Sequence, residues 1–297
     1  MAEAICASEV ASLPVSGWDQ PCASETREQA VGVLEGGDVV FIPQLRFALD
    51  NGEDRLLTPA IAGEGKNISL DPASGVLRGS SAADTEMELL QGMMIRFASL
   101  SRALLLNLLP GYAAELTQAR TSFRPVETAG RSSSWRKDDT RLHVDSFPST
   151  PTQGRRILRV FTNINPQGRP RSWRVGEPFA AVVGRYIHSI PGPAPASSVA
   201  LNLLGLTKSR RSAYDHYMLR LHDTMKADLD YQKNAVQRQF EFSAGSTWIA
   251  FTDKTSHAAR GGQYALEQTF YLPVDAMMNP AQSPLRILEH TLGRRLV

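Results

Sequence analysis

The triplet His143-Val144-Asp145, with His257 far downstream, constrains this chain more than any other feature. On an extended segment, residues two apart point to the same side, so His143 and Asp145 face one way. They can grip one metal ion from that side, and a single distant histidine can complete a facial set of three. Such a set leaves about three octahedral positions open to other ligands.

Composition bounds the setting. The chain has 297 residues, 42% hydrophobic and 21% charged, as in an ordinary globular protein. A net charge of +2 gives no bulk attraction to nucleic acid, although arginines gather around the triplet. The two cysteines, Cys6 and Cys22, are expected as free thiols. Met1–Pro14 contains Glu3 and Glu9 and no basic start, so no secretory signal is expected. Leu89–Leu109 is interrupted by Arg96 and Arg102, and Ile187–Thr207 by Pro191, Pro193 and Pro195. Neither is expected to span a membrane, which takes about 20 apolar residues.

Along the chain, residues 1–37 read as a poorly defined N-terminal segment and residues 38–297 as a single domain. Glu35–Asp38 reads as a turn and Val39–Ile42 as a short strand; Asn51–Ser80 is polar and loop-like. Thr85–Leu116 predicts a helix, since Leu89, Met93, Phe97, Leu100 and Leu104 recur at helical spacing. Strands are expected over Arg156–Asn165, Arg185–Ile190, Ser246–Thr252 and Gln263–Leu272, with an inserted helix over Ser212–Gln232 and a short amphipathic helix over Pro284–Leu296. This order predicts a mainly β fold, a barrel or jelly roll with helices against one face.

The triplet gains weight from its surroundings. Ala244–Phe251 reads as a glycine-led strand that runs on to Ser256-His257. The ordering resembles that of double-stranded β-helix (cupin-like jelly-roll) oxygenases that use Fe(II), 2-oxoglutarate and O2. Zinc accepts the same ligand types, so the metal's identity rests on the resemblance. On Arg155–Asn165, one face carries Arg159 and Asn163 among Ile157 and Phe161, and the other is mostly apolar. Arg159 is either turned inward, where it needs an anionic partner such as a dicarboxylate, or outside and solvated. Many such oxygenases place a cation about ten residues after the last histidine; here nothing basic lies between Arg260 and Arg286. Gln268 is the one amide in the row Tyr264, Leu266, Gln268, Phe270, Leu272, and is a candidate for facing the cosubstrate. Arg159 is the first choice for its anchor and Arg260 the second.

Trp135–Pro148 (WRKDDTRLHVDSFP), Arg159–Pro166 (RVFTNINP), Trp173–Phe179 (WRVGEPF) and the helical stretch Tyr214–Gln232 together resemble the Kdo hydroxylases. The resemblance covers about Asp38 to Pro273. It implies Fe(II)/2-oxoglutarate/O2-dependent 3-hydroxylation of Kdo (3-deoxy-D-manno-octulosonic acid) to Ko on the lipid A-linked inner core of lipopolysaccharide. It further implies His143, Asp145 and His257 as iron ligands, with no side-chain acid or base needed. An anionic sugar suits the arginines, among them Arg124, Arg131, Arg136, Arg141, Arg171 and Arg174, at a pocket mouth. Arg124, Arg136 and Arg174 are the substrate candidates, with Trp173 as a stacking platform or a core residue. His216 and His222 read as packing or surface residues, and Asp223 and Asp228 as solvated or capping. A lipid-anchored substrate implies a cytoplasmic protein that visits the inner membrane peripherally, through the leucine-rich helix near Leu104 or the basic C-terminal helix. The alternatives are an oxygenase for another small acid, lipid or peptide, and a non-catalytic jelly-roll binder of acidic sugars.

Overall fold

The computed structural model describes residues 6–63, 65, 67–130, 133–194, 205 and 207–297. Its frame is two facing sheets. The strands are β1 (Val10–Ser12), β2 (Val39–Ile42), β3 (Ile68–Leu70), β4 (Leu77–Arg78), β5 (Thr117–Arg124), β6 (Arg156–Asn163), β7 (Arg171–Gly176), β8 (Gln237–Phe242), β9 (Thr247–Phe251), β10 (His257–Gly261) and β11 (Ala265–Leu272). Eight form one sheet in the order β1-β2-β9-β6-β11-β5-β3-β4, and β10-β7-β8 form the other. Most pairs are antiparallel, whereas β1 adds to β2 in parallel. The mainly β expectation holds, consistent with a jelly-roll core.

Strand alternation divides the large sheet's residues between two interiors. Leu158 and Val160 of β6, Ile249 and Phe251 of β9, and Leu266 and Phe270 of β11 join the helices in one apolar core. That core takes in α1 (Ser24–Gly36) and α2 (Asp84–Leu108). On the opposite face, Phe161, Trp248 and Ala250 meet Trp173, Val175 and Phe242 of the small sheet. The mostly apolar face of β6 thus lies under the helices, and the face bearing Arg159 lies between the sheets.

Arg156 is the charged residue on the helix-side face of β6. It is fully buried and paired with Asp253 at 2.7 Å, its guanidinium lying over Phe251.

Several elements depart from the sequence reading. Residues 10–36 are a strand and a helix, not a loose segment: β1 pairs with β2, and Ala30 and Leu34 are fully buried. Their order comes from tertiary pairing that no local pattern signals. The helix expected to Leu116 ends at Leu108, just before Pro110. Phe179–Tyr186, which overlaps the strand expected at Arg185–Ile190, is helix α3. The inserted helix is two, α4 (Ala213–Ala227) and α5 (Leu229–Asn234), divided at Asp228, which caps the second through its side chain. Ser212 and Asp215 close a capping box at the start of α4. The last helix is α6 (Pro284–Leu292).

By length and composition α2 could cross a membrane, but Met93, Phe97, Leu104, Leu105 and Leu108 are fully buried against the sheet. Leu104, Leu105 and Leu108 are therefore turned into the core. On α6, Leu285 and Leu288 are likewise buried, and Arg286 pairs with Glu289 and Asp275. Neither Cys6 nor Cys22 is in a disulfide. Arg131 and much of the proline-rich stretch lie outside the described residues.

Candidate active site

His143, Asp145 and His257 converge between the sheets, and one donor atom from each lies within 4.8 Å of the others. Backbone bonds bring them together. The His143 N–H donates to the His257 carbonyl at 3.0 Å, and the His257 N–H returns the bond at 2.9 Å. This isolated bridge joins the segment bearing His143 to the first residue of β10. The Asp145 N–H donates to the Thr252 carbonyl at 2.7 Å, which turns its side chain to the same point.

The donor set suits a divalent cation. His143 Nδ1 lies 2.7 Å from the Arg141 carbonyl, and His257 Nδ1 lies 2.8 Å from the Thr255 carbonyl. A carbonyl only accepts, so each Nδ1 must carry the proton and each Nε2 keeps its lone pair for a metal. Burial, then the charge of Lys226, pushes His143 well below the usual imidazole range, and burial lowers His257 as well. Both are therefore neutral near pH 7, as ligation requires. Burial works to raise Asp145, but the Arg159 guanidinium outweighs it and keeps the carboxylate ionised. Asp145 Oδ2 is buried and accepts no hydrogen bond, its ionic neighbour Arg159 lying 3.2 Å away, so it keeps a lone pair that a metal cation could take. The residues present thus fit a metal ion.

Arg159 adjoins this set. Its Nη1 lies 3.2 Å from Asp145 Oδ2 and 3.7 Å from Glu267 Oε1, while its Nε is buried without a partner. Glu267 is held tightly by Arg124, with Nε–Oε2 at 2.8 Å and Nη2–Oε1 at 3.1 Å, and Arg124 also reaches Asp139 at 3.1 Å. Burial opposes the Glu267 charge, but Arg124 and Arg159 prevail and keep it ionised. Arg171 is buried beside them and donates to the Gly262 carbonyl; burial, then Arg124, lowers it to about 10. One end of the site is therefore a guanidinium cluster that can receive an anion.

The remaining expected contacts fall elsewhere. Gln268 pairs in register with Val160, so it faces the helices and not the site. There it accepts from Thr121 Oγ1 and donates to the carbonyls of Ala119 and Thr269. Its neighbours Glu267 and Thr269 occupy the inner face, because adjacent strand residues alternate. Asn163 lies on the inner face but donates to the Arg169 and Phe242 carbonyls and accepts from the Asn165 N–H, so it ties a turn together. Arg260 is exposed, one position out of phase with His257 and Ala259, and its guanidinium reaches the Thr140 carbonyl.

Of the substrate candidates, Arg124 belongs to the inner cluster and not to the mouth. Arg136 is 59% exposed and pairs with Asp223. Arg174 donates from its Nη atoms to the carbonyls of Thr140 and Gln232, while its Nε is buried without a partner. Trp173 is 2% exposed and stacks on the His257 ring, with centroids 5.1 Å apart, so that face is no open sugar platform.

Sequence reasoning missed Glu267, and placed His222 only as a packing or surface residue. Glu267 carries the cluster, and its signal was its position next to Gln268 on a strand whose two faces were assigned in reverse. His222, read as a packing residue, is buried and meets His143 edge-on at 5.3 Å. Its Nδ1 lies 3.0 Å from Asp223.

Comparison with known proteins agrees with this geometry. The family model for 3-deoxy-D-manno-oct-2-ulosonic acid (Kdo) hydroxylase matches residues 17–295. No curated protein matches the chain. Among solved structures, it resembles the Kdo hydroxylase KdoO, a non-haem Fe(II) α-ketoglutarate-dependent dioxygenase, in complex with α-ketoglutarate and Fe(III). Identity there is 49%, coverage 98% of each chain and the TM-score 0.94. The apo form of that enzyme matches at 50% identity, 98% of each chain and a TM-score of 0.95. Its cobalt(II) complex matches at 50% identity, 97% of each chain and a TM-score of 0.95. The chain belongs to the Kdo hydroxylase family.

Proposed function

We propose that this protein is an Fe(II)/2-oxoglutarate/O2-dependent dioxygenase that hydroxylates Kdo at C3, giving Ko, on the lipid A-linked core of lipopolysaccharide. One observation carries the reading: a His143–Asp145–His257 set sits directly beside Arg159 in a chain that matches the family from residue 17 to 295.

His143 Nε2, Asp145 and His257 Nε2 would hold the iron. Bound there with 2-oxoglutarate and O2, Fe(II) supplies the oxidising power for an unactivated C–H bond, chemistry that belongs to the cofactor. The chain's own residues supply position and environment. The Arg141 and Thr255 carbonyls fix the tautomer and rotation of each imidazole. Trp173 pins the His257 ring from its face.

Arg159, beside the metal set with its Nε buried and without a partner, would pair with the distal carboxylate of 2-oxoglutarate. Arg124 and Glu267 brace it from behind. Phe161, Trp173 and Trp248 pack edge-on and face-on beside the site and exclude water from it. No side-chain acid or base is called for.

The family implies a Kdo-containing substrate. Its attachment to lipid A, and with it peripheral contact of a cytoplasmic protein with the inner membrane, is part of the proposal. Mass spectrometry of Kdo-lipid A after incubation with the enzyme, Fe(II), 2-oxoglutarate and air is the test. The expected result is a gain of one oxygen on the sugar, absent without 2-oxoglutarate and in His143→Ala. A substrate of unchanged mass would overturn it. Flotation with Kdo-lipid A liposomes checks the membrane contact; protein that stays wholly in the soluble fraction would refute it.

A further inference from the structure

The segment from Thr207 to Arg220 carries Lys208, Arg210, Arg211 and Arg220 against a single acid, Asp215. Beyond α6 the chain adds Arg294 and Arg295 and no acid. Asp215 does little to offset this charge at the surface. It is buried, and its carboxylate accepts from the Thr152 and Gln153 N–H groups and from the Ser212 hydroxyl. Lys208, Arg220, Arg294 and Arg295 are exposed.

Hydrogen bonds gather these residues on one surface. The Tyr214 N–H, at the start of α4, donates to the Leu296 carbonyl at 3.1 Å, and Arg294 Nη2 donates to the Tyr217 hydroxyl at 2.8 Å. The tail after α6 is thereby laid along the first turns of α4. Arg220 stands one turn past His216, whose Nε2 lies 2.9 Å from the Pro191 carbonyl. On the other side, the Lys208 N–H donates to the Ser149 carbonyl at 2.9 Å, and Arg211 Nη2 donates to the Pro148 carbonyl at 2.8 Å. Pro148 follows Asp145 by three residues, and between them the Phe147 ring lies under the Arg159 guanidinium at 5.4 Å. The basic surface therefore adjoins the segment that carries Asp145.

Apolar surface continues it. A groove between α3 and α6 is lined by Ala180, Gly184, Ala281 and Ile287, with Arg286 and His290 also on its wall. Helix α6 leads directly into the tail bearing Arg294, and the chain after α3 runs through Ile187–Ser189 to Pro191, the partner of His216. Val297, in the same tail, is 58% exposed. Cations interleaved with open apolar surface suit the boundary between lipid headgroups and acyl chains. A nucleic acid would use the cations and leave the apolar part in water.

We propose that the surface made of residues 207–220, the tail after α6 and the α3–α6 groove docks on an anionic phospholipid bilayer. The proposal rests on the reading of a lipid-anchored substrate and deepens it by naming the docking surface and the charge of the lipid. Docked in this way, the protein holds the segment bearing Asp145 at the membrane, where a lipid-anchored sugar is presented. Each Lys or Arg held near an anionic leaflet contributes about fivefold to binding.

The test floats the protein with two kinds of liposome that contain no sugar lipid, one of phosphatidylcholine alone and one with phosphatidylglycerol added. The wild type should float with the anionic liposome and not with the neutral one, and should be released as salt rises from about 0.1 M to about 0.5 M, because screening shortens. Lys208→Gln/Arg220→Gln/Arg295→Gln removes three such contributions and should bind the anionic liposome about 100-fold more weakly. None of these three side chains hydrogen-bonds to a described residue, so the urea midpoint of the variant should stay that of the wild type. A wild type that ignores the anionic liposome, or a triple variant that binds it as tightly as the wild type, overturns the proposal. So does a wild type that floats only once Kdo-lipid A is added, which would assign the cations to the substrate's own phosphates, or one that prefers a DNA duplex to the anionic liposome. Hydroxylation of micellar Kdo-lipid A, followed in parallel, judges the hydroxylase reading separately. Activity without flotation refutes the docking surface alone; flotation without activity refutes the substrate and leaves the surface standing.

Discussion

Arg159 offers the sharpest test of how the site is organised. Its Nη1 lies 3.2 Å from Asp145 and 3.7 Å from Glu267, and the side chain is 11% exposed. Two unit charges about 4 Å apart interact by roughly 4 kcal/mol at an effective dielectric constant near 20. When a metal engages Asp145, that share of the guanidinium's attraction becomes available to an incoming carboxylate. The net gain is smaller, because the anion must leave water. For truncation of one partner of a buried, hydrogen-bonded charge pair, about 2–5 kcal/mol is typical.

Arg159→Met should therefore weaken 2-oxoglutarate binding by roughly 30- to 4000-fold, at 1.4 kcal/mol per tenfold. Calorimetric titration of 2-oxoglutarate into the Co(II)-loaded variant measures this directly, without turnover. A dissociation constant within threefold of the wild type would refute the reasoning, since the distal carboxylate would then be held by something else. The variant removes the main influence that keeps Asp145 ionised against burial. Its cobalt binding should accordingly weaken at a higher pH than the wild type's as acid is added.

The other predictions concern stability. Gln268→Leu should leave 2-oxoglutarate affinity unchanged, because the side chain faces the helices, yet should destabilise the fold by about 1–3 kcal/mol as Thr121 and two carbonyls lose their partner. Urea unfolding together with the calorimetric titration separates the two effects, and a binding defect in a stable variant would contradict the face assignment. Arg156→Met strands the buried Asp253 carboxylate and should cost about 3–5 kcal/mol in the same urea assay, with Arg156→Met/Asp253→Leu recovering much of it.

Burial, then Arg156, lowers Lys254 from its usual 10.5 to about 8. Between those values the unfolded chain binds more protons than the folded one, so this group's contribution to stability rises with pH, by about 3 kcal/mol in all. The stability difference between wild type and Lys254→Met should shift in favour of the wild type by that amount from pH 8 to 10.5; a difference flat in pH would refute the assignment.

What was legible in the sequence follows from the range of the forces involved. The alternation on Arg156–Asn163 and the helical repeat from Leu89 to Leu104 are local patterns, and each element formed where its pattern lay. The triplet was legible because its spacing brings two donors to one side of an extended segment. Residues 10–36 were not, since β1 acquires order by pairing with β2 and has no pattern of its own. The face of β11 was read in reverse because both of its faces are buried: alternation says that Glu267 and Gln268 point oppositely, but not which points inward.

By itself, the sequence determined the mainly β class, the separate helices, the three convergent donor residues and the resemblance to Kdo hydroxylases. These rest on local periodicity and on motifs that survive being read in one dimension. Only the tertiary structure decided where the charges go. It placed Arg124 on Glu267 inside the site, turned Gln268 out to the helices, and brought His222 of α4 against His143. The physical reason is that a buried ionic or amide group is fixed by its partner across the fold, and these partners come from strands and helices far apart in the chain.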